Sequence, residues 1–168
     1  LDGQHHDQFV VDVIQGGAGT STNMNANEVI ANLALEHLGH DKGDYAVVHP
    51  NDHVNASQST NDVYPSALRL ALWEKSGQLQ PQLTALRQSL EAKAEQFAGI
   101  LKIGRTQLQD AVPMTLGQEF AAFASMLAAD ERRLAQAREE LTEVNLGGTA
   151  IGTGINAPAG YAAVSYTH

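Results

Sequence analysis

Residues 116–141 read LGQEFAAFASMLAADERRLAQAREEL. Its large apolar residues recur at helical spacing, which puts them on one face of a helix. They are Leu116, Phe120, Phe123, Leu127, Leu134 and Leu141. About 25 residues of helix are roughly 38 Å long at 1.5 Å per residue. The stretch therefore predicts a long amphipathic helix of the kind that packs into bundles.

A second stretch of the same kind lies upstream. Its apolar residues form a near-heptad stripe, at Leu79, Leu83, Leu86, Leu90, Ala94 and Phe97. A helix is also predicted to run from Pro65 toward Gly77, and a break or kink is predicted at 77–81 because Pro81 cannot continue a helical hydrogen-bond ladder. The leucines and phenylalanines of both stripes are predicted to be core. The predicted fold class is mainly α, a bundle of long helices.

The remaining segments are shorter. A helix is predicted from Asn25 to a glycine stop at Gly39. Residues 40–60 predict a long ordered loop, and residues 102–115 predict a turn-and-loop excursion at one end of the bundle. The glycine-rich tract at 147–154 ends the helical pattern.

Composition limits the partners. The 168 residues include 19 acidic and 10 basic ones, a formal charge of −9, which repels nucleic acid and anionic membranes. An anionic substrate must then be held by local groups such as helix N-termini and hydroxyls. The chain has no cysteine and no apolar run of roughly 18 residues, so a disulfide framework is excluded and a cytoplasmic location is expected.

Three polar clusters interrupt the helical pattern, at residues 16–21, 57–62 and 104–107, and each is predicted to lie directly before a helix. Small hydroxyl and amide side chains cap helix starts, and the free N–H groups there, with the positive end of the helix dipole, also bind carboxylates. The clusters therefore predict a dicarboxylate site that needs no lysine.

Each cluster also has a plain structural interpretation. Residues 59–61 suit a simple N-cap, and residues 104–107 suit a simple turn. Residues 16–21 lack the lysine and the glycine spacing of nucleotide-binding loops. His37 and His40 have no third ligand at suitable spacing, so no metal site is predicted. His49, which precedes Pro-Asn-Asp, suits a structural turn as well as a binding role.

Taken together, the clusters carry a family resemblance. Residues 16–29 read GGAGTSTNMNANEV, residues 49–62 read HPNDHVNASQSTND and residues 104–120 read GRTQLQDAVPMTLGQEF. In this order and at these separations they resemble the aspartase/fumarase superfamily, over nearly all of residues 7–160. Three positions resemble aspartases more than fumarases: Thr60 within 59–62, Ala18 within 17–20, and Gln107, where fumarases have a histidine. His49 is the one feature that resembles fumarases.

The resemblance implies a reversible anti-elimination of ammonia from L-aspartate to give fumarate, without a cofactor. It implies that substrate is bound by Thr20, Ser59, Thr60, Asn61 and Thr106, with further candidates near the site at Gln107, His49, Asn51 and Asp52. It also implies a homotetramer in the full-length protein, with each site assembled from three subunits. The stripes at 79–97 and 116–141 would then be subunit interface as much as core.

The resemblance also implies what this sequence does not contain. The family's base is a serine in a Gly-Ser-Ser-x-Met-Pro-x-Lys-x-Asn-Pro loop, and none of the 168 residues match it. We therefore interpret the sequence as truncated: residues 1–24 end an N-terminal domain, residues 25–163 belong to the central helical domain, and residues 164–168 are a non-native tail. The isolated chain is expected to be inactive. The alternatives are a class II fumarase and a non-catalytic helical interaction module.

Overall fold

The structure, a computed structural model, describes residues 3–165. The chain divides into two compact units. The first comprises residues 1–69 and 144–168, and the second comprises residues 70–143. The domain boundaries expected at residues 24 and 163 remain a prediction. Part of the expected tail, residues 166–168, lies outside the described residues.

Helix α1 spans Thr20–Leu38 and so begins before the predicted start at Asn25. Its C-terminus is confirmed at Gly39, whose φ of 80° is left-handed. The Gly39 N–H donates to Glu36 O (3.1 Å) and the His40 N–H donates to Leu35 O (2.9 Å), which is the Schellman arrangement. Leu35 is fully buried, and it anchors the helix in the first unit.

Residues 40–60, predicted as a loop, contain one π-helical turn at Pro50–Val54. Helix α2 then spans Thr60–Gln96 as one element, and its N-terminal part lies in the first unit while the rest lies in the second. The prediction was a break or a kink at 77–81, and the break was wrong because α2 continues through these residues.

Arg138 contacts the part of α2 that lies just before Pro81. Its guanidinium donates to Ser76 Oγ (3.1 Å) and to Gln80 Oε1 (3.1 Å), and it lies over the Trp73 ring at 5.0 Å. A Cβ added at Gly77 would lie 2.8 Å from Arg138 Nη2. The absence of a side chain at Gly77 therefore leaves space for the Arg138 guanidinium, which hydrogen-bonds to this part of α2.

The excursion predicted at 102–115 is instead an antiparallel hairpin. Strand β1 spans Leu101–Thr106 and strand β2 spans Gln109–Thr115. The two residues between them, Gln107 and Leu108, have φ of 49° and 64°. Two left-handed residues give a turn whose twist suits a hairpin, but glycine and asparagine normally signal such a turn. Because the turn consists of Gln107 and Leu108, the sequence contains no signal that predicts this hairpin.

Helix α3 spans Leu116–Glu140. A capping box starts it: the Gln118 N–H donates to Thr115 Oγ1 (3.1 Å), and the Thr115 N–H donates to Gln118 Oε1 (2.9 Å). The Gly117 N–H donates to Phe97 O (3.1 Å). This start is therefore fixed against the end of α2. A short helix α4 spans Tyr161–Ser165.

The prediction that the stripe leucines and phenylalanines are core was wrong for the single chain. Leu79, Leu86 and Phe123 are 49%, 50% and 46% exposed. Among the side chains that the structure describes, the buried apolar ones are Ala31, Leu35, Pro50 and Ala124. The second unit contains two helical segments and a hairpin, which is too few layers to cover both apolar faces.

Polar contacts supplement this small core. Arg87 Nε donates to Glu131 Oε2 (3.0 Å) and Arg87 Nη1 donates to Glu91 Oε1 (2.7 Å). The hydrogen bonds to Glu91 and then Glu131 raise the pKa of Arg87 above its ordinary value, so the guanidinium stays charged. Phe97 and Phe120 meet edge to face at 5.3 Å.

We predict that Gly117→Ala destabilises the chain strongly. An added Cβ would collide with Ala94 O and lie 2.8 Å from Ala98 Cα, and backbone cannot move aside as a side chain can. The expected loss is about 2 kcal/mol or more, which exceeds the roughly 1 kcal/mol gained from the higher helix propensity of alanine. Urea unfolding followed by circular dichroism measures it. Gly99→Ala is the matched control, because its Cβ meets nothing within 4 Å. Equal midpoints for the two variants would contradict the prediction.

Candidate functional site

The site is organised by the Asp62 carboxylate, which is fully buried at the start of α2. Asp62 Oδ1 accepts from the Ser59 N–H (3.0 Å), and Asp62 Oδ2 accepts from the Thr149 N–H (2.7 Å) and the Gly147 N–H (3.2 Å). One carboxylate thus joins the N-terminus of α2 to a glycine-rich segment more than eighty residues away.

Asparagine side chains make further hydrogen bonds between the glycine-rich segment and the start of α2. Asn61 Nδ2 donates to Ala150 O (2.8 Å), and Asn145 Nδ2 donates back to Asn61 O (3.0 Å). The buried Ser66 hydroxyl donates to Asp62 O (2.7 Å) and lies 3.3 Å from Asn145 Oδ1. Residues 145–150 are therefore tied to the first turns of α2 along their length.

Helix α1 contributes three buried asparagines to the first unit, Asn23, Asn25 and Asn27. Asn23 Nδ2 donates to Thr60 Oγ1 (2.9 Å) and to Asn55 Oδ1 (3.2 Å). Asn27 Nδ2 donates to the same Asn55 oxygen (3.1 Å). These bonds hold the start of α1 beside the start of α2. Asn25 instead bonds the Gln8 carbonyl and the Val10 N–H, and so fixes the segment before α1.

A cavity of about 520 Å³ lies at these two helix starts. Around it are Val13, Gln15, Gly17, Ala18, Gly19, Thr22, Asn61, Tyr64, Pro65, Leu68 and Ala150. None of these lining residues carries a charge. Because both helices present their N-termini here, their dipoles supply positive potential and suit the cavity to an anion.

Gly19 allows the two helix starts to meet. It precedes α1 with φ of 88°, and an added Cβ would fall within 2.6 Å of Tyr64 ring carbons. The glycine is therefore required both by its backbone conformation and by the close approach of Tyr64.

The predicted binding residues fall in two places, and Asn61 is the one among them that lines the cavity. Thr20 is the first residue of α1, and Ser59, Thr60 and Asn61 form the start of α2, all in the first unit. Thr106 ends β1 in the second unit, where it is exposed, and Gln107 follows in the turn. The expectation that residues 104–107 precede a helix was wrong, because they lie on β1 and in its turn.

Comparison with known proteins decides the family. A family model described as "Lyase" matches residues 1–168. The chain belongs to this lyase family.

Curated relatives of the lyase family include aspartate ammonia-lyases. The one from Pseudomonas aeruginosa is 66% identical over 162 residues, covering 96% of this chain and 34% of that protein. Those from Helicobacter pylori and Escherichia coli are 62% and 56% identical, each with 34% of its length covered. The chain thus spans about a third of the length of the curated relatives it matches.

Solved structures agree on the fold. A fumarate lyase:delta crystallin from Brucella melitensis, bound to cobalt, superposes with a TM-score of 0.89 at 64% identity, covering 96% of this chain and 35% of that chain. A class II fumarase from Schistosoma mansoni gives a TM-score of 0.86 at 39% identity, covering 95% of this chain and 33% of that chain. The expected mainly α fold of the aspartase/fumarase type is thereby confirmed.

His49 has a structural role in this member of the lyase family. Its Nδ1 accepts from the N–H groups of Asn51 (3.2 Å) and Asp52 (3.1 Å) and so caps the π-helical turn. The His49 N–H donates to His53 Nδ1 (2.8 Å). Asn51 and Asp52 are both exposed, and their backbone N–H groups serve this turn.

Two further features of the described residues bear on function. Across residues 3–165, no cluster of three or more histidine, aspartate or glutamate side chains is arranged to hold a metal ion. In the same range, no helix combines the length and the apolar character needed to cross a membrane.

Sequence reasoning missed several residues that build this lyase-family site. They are Asn23, Asn27, Asn55, Asp62, Asn145 and Thr149. One signal was present: the asparagines of α1 alternate over Asn23, Asn25 and Asn27, a spacing that does not fit a single exposed helix face. Thr149, at φ of 57°, gave no such signal.

We predict that Asp62→Asn costs about 2–4 kcal/mol, because the amide cannot accept from all three backbone N–H groups and leaves buried donors unpaired. Urea unfolding measures the loss, and faster amide exchange at Gly147 and Thr149 locates it. Asp110→Asn is the matched control, since Asp110 is 78% exposed and its change should stay within about 0.5 kcal/mol. The prediction fails if both variants unfold at the wild-type midpoint.

Proposed function

We propose that this chain supplies substrate-binding segments of an aspartate ammonia-lyase, which eliminates ammonia from L-aspartate to give fumarate. The observation that carries the proposal is the uncharged cavity at the start of α1 and α2, in a chain more similar to aspartate ammonia-lyases than to a class II fumarase. Because the chain spans about a third of those relatives, the activity belongs to the whole protein.

The chemistry of the substrate fits such a cavity. A carboxylate only accepts hydrogen bonds, so its site must consist of donors. The elimination removes a proton from the carbon beside the β-carboxylate, and negative charge accumulates on that carboxylate. Donors and helix dipoles fixed in advance stabilise this charge without reorganising. The net charge of −9 means that the attraction must be local, as it is at two helix N-termini.

Within this proposal Thr20, Ser59, Thr60 and Asn61 bind the dicarboxylate from the first unit. Thr106 binds it from the hairpin, with Gln107 beside it. In a homotetramer that assembles each site from three subunits, Thr106 acts on the site of a neighbouring subunit. His49, Asn51 and Asp52 remain candidates near the site, although His49 already caps a turn.

Within this proposal, Gln107 is the residue that favours aspartate over malate as the substrate. A histidine at this place suits the polarisation of an active-site water, which the elimination of ammonia does not require. We assign no residue of this chain as the base, because the serine-loop pattern is absent from its 168 residues. No cofactor takes part in the proposed reaction. The cytoplasmic location stays a prediction from the cysteine-free sequence.

Exposed apolar side chains on α2 and α3 support the proposed homotetramer. Leu79, Leu86, Phe123 and Met126 are between 46% and 64% exposed. Apolar faces of this kind mark surfaces that other chains cover. The long helices of neighbouring subunits are the occupants that the family resemblance implies.

We predict that a chimera of the Pseudomonas aeruginosa aspartate ammonia-lyase, with its matching third replaced by this chain, deaminates L-aspartate. Fumarate absorbance measures the rate. Thr106→Val in the chimera should lower kcat/KM about 100-fold or more, because it removes a donor to the developing charge.

The controls separate the alternatives. Thr142→Val changes an exposed threonine of the second unit and should leave the rate unchanged. The isolated chain should form no fumarate. Preference of a folded tetrameric chimera for L-malate would instead favour the fumarase alternative. A non-catalytic helical module predicts no effect when Thr20, Ser59, Thr60, Asn61 and Thr106 are all replaced by alanine.

We also predict that the purified chain self-associates and that Met126→Glu shifts it toward monomer, because a charge on an apolar contact face must be desolvated on association. Sedimentation velocity measures the distribution. Gln136→Glu, an exposed change on the same helix, is the control that should leave association intact. A monomeric wild-type chain would count against the interface.

A further inference from the structure

The Thr60 hydroxyl oxygen already accepts one hydrogen bond, from the side chain of Asn23. Asn23, 7% exposed on the first turn of α1, donates from Nδ2 to Thr60 Oγ1 at 2.9 Å. A hydroxyl has one proton and two lone pairs. An amide N–H on one lone pair leaves the proton free to point elsewhere. Because the Asn23 amide takes up a lone pair and not the proton, the Thr60 hydroxyl keeps its proton available to donate to a ligand.

The hydrogen-bond network fixes which end of the Asn23 amide faces Thr60. The same Nδ2 donates to Asn55 Oδ1 (3.2 Å), which also accepts from Asn27 Nδ2 (3.1 Å). Reversing the Asn23 amide alone would set two carbonyl oxygens against each other. Reversing all three would bring the Asn27 oxygen to the position 3.7 Å from Met24 Sδ, where two acceptors would meet. The orientation that donates to Thr60 is therefore favoured.

The Ser59 hydroxyl also accepts a hydrogen bond from an N–H group of the protein. Its Oγ accepts from the Asn61 N–H (3.2 Å), so its proton is also left to donate. Two adjacent hydroxyls at one helix N-terminus thus each accept an N–H group of the protein and keep a proton available to donate. This arrangement suits an acceptor-only ligand, which a carboxylate is.

We infer that Asn23 is a positioning residue that orients the Thr60 hydroxyl as a hydrogen-bond donor to the substrate carboxylate. The inference rests on the proposed function and adds a residue on α1 that does not touch substrate. It acts through Thr60, so its effect must disappear when the Thr60 hydroxyl is absent.

A double-mutant cycle in the tetrameric chimera with the Pseudomonas aeruginosa aspartate ammonia-lyase, which supplies the remaining two thirds of the protein, tests this coupling. The probe is succinate, a dicarboxylate without an amino group to eliminate, and isothermal titration calorimetry measures its binding. Thr60→Val and Asn23→Ala should each weaken binding, by about tenfold for the loss of one charge-assisted hydrogen bond. The double variant should bind no more weakly than Thr60→Val alone, and Thr60→Ser should restore binding.

Asn25→Ala is the matched control. Asn25 lies on the same helix, is 9% exposed and also makes two hydrogen bonds, but to Gln8 and Val10. Its replacement should leave succinate affinity within about twofold of wild type. Effects of Asn23→Ala and Thr60→Val that multiply in the double variant, or an Asn23→Ala variant that binds like wild type, would overturn the inference.

A charge-matched pair covers the case in which Asn23→Ala does not fold. Asn23→Asp keeps the shape but accepts the Thr60 proton, so succinate binding should be lost, whereas Asn25→Asp adds the same charge elsewhere and should reduce it only weakly. Equal losses in the two variants would overturn the inference. If Thr60→Val weakens binding while Asn23 variants do not, only the inference fails. If the folded tetrameric chimera neither binds succinate nor deaminates L-aspartate, the proposed function fails, and the inference fails with it.

Discussion

The buried Asp62 carboxylate accepts hydrogen bonds from the N–H groups of Ser59, Gly147 and Thr149, and the first unit depends on these contacts. A carboxylate can be buried only when donors replace its water. The glycine-rich segment supplies two of them, so this segment and the start of α2 can be completed only together. The two halves of the first unit, far apart in sequence, thereby meet at Asp62, and hydrogen bonds made by Asn61 and Asn145 add to the contact.

The hydrogen bonds of Asp62 also hold the polar residues near the cavity in place. With Asp62 holding the helix start, the neighbouring Ser59, Thr60 and Asn61 keep fixed positions on the first turn of α2. Asparagines of α1 fasten that turn from the other side through Thr60 and Asn55. Polar contacts rather than apolar packing thus set the geometry. This is suited to a site that must present donors to an anion in a chain of net charge −9.

The second unit follows a different principle. Its helical segments are linked by Arg138, which reaches Ser76 and Gln80, and by Arg87, which pairs with Glu91 and Glu131. Large apolar residues on its faces stay half-exposed. The amphipathic pattern is real, but a single chain contains too little structure to bury it. The pattern therefore describes a surface available for association as much as a core.

The helical class, the Gly39 stop and the polar clusters that begin α1 and α2 could be predicted from the sequence, because periodicity and capping are local properties. The course of α2, the hairpin and the partners of Asp62 became clear only from the tertiary structure. Helix α2 continues through Pro81 although proline lacks the N–H of a helical hydrogen bond, and the two-residue turn of the hairpin contains no glycine. Asp62 looks like an ordinary N-terminal acidic residue until residues 147–149 fold onto it. Such pairings join positions far apart in the chain, and no local pattern encodes which distant N–H groups a buried carboxylate will meet.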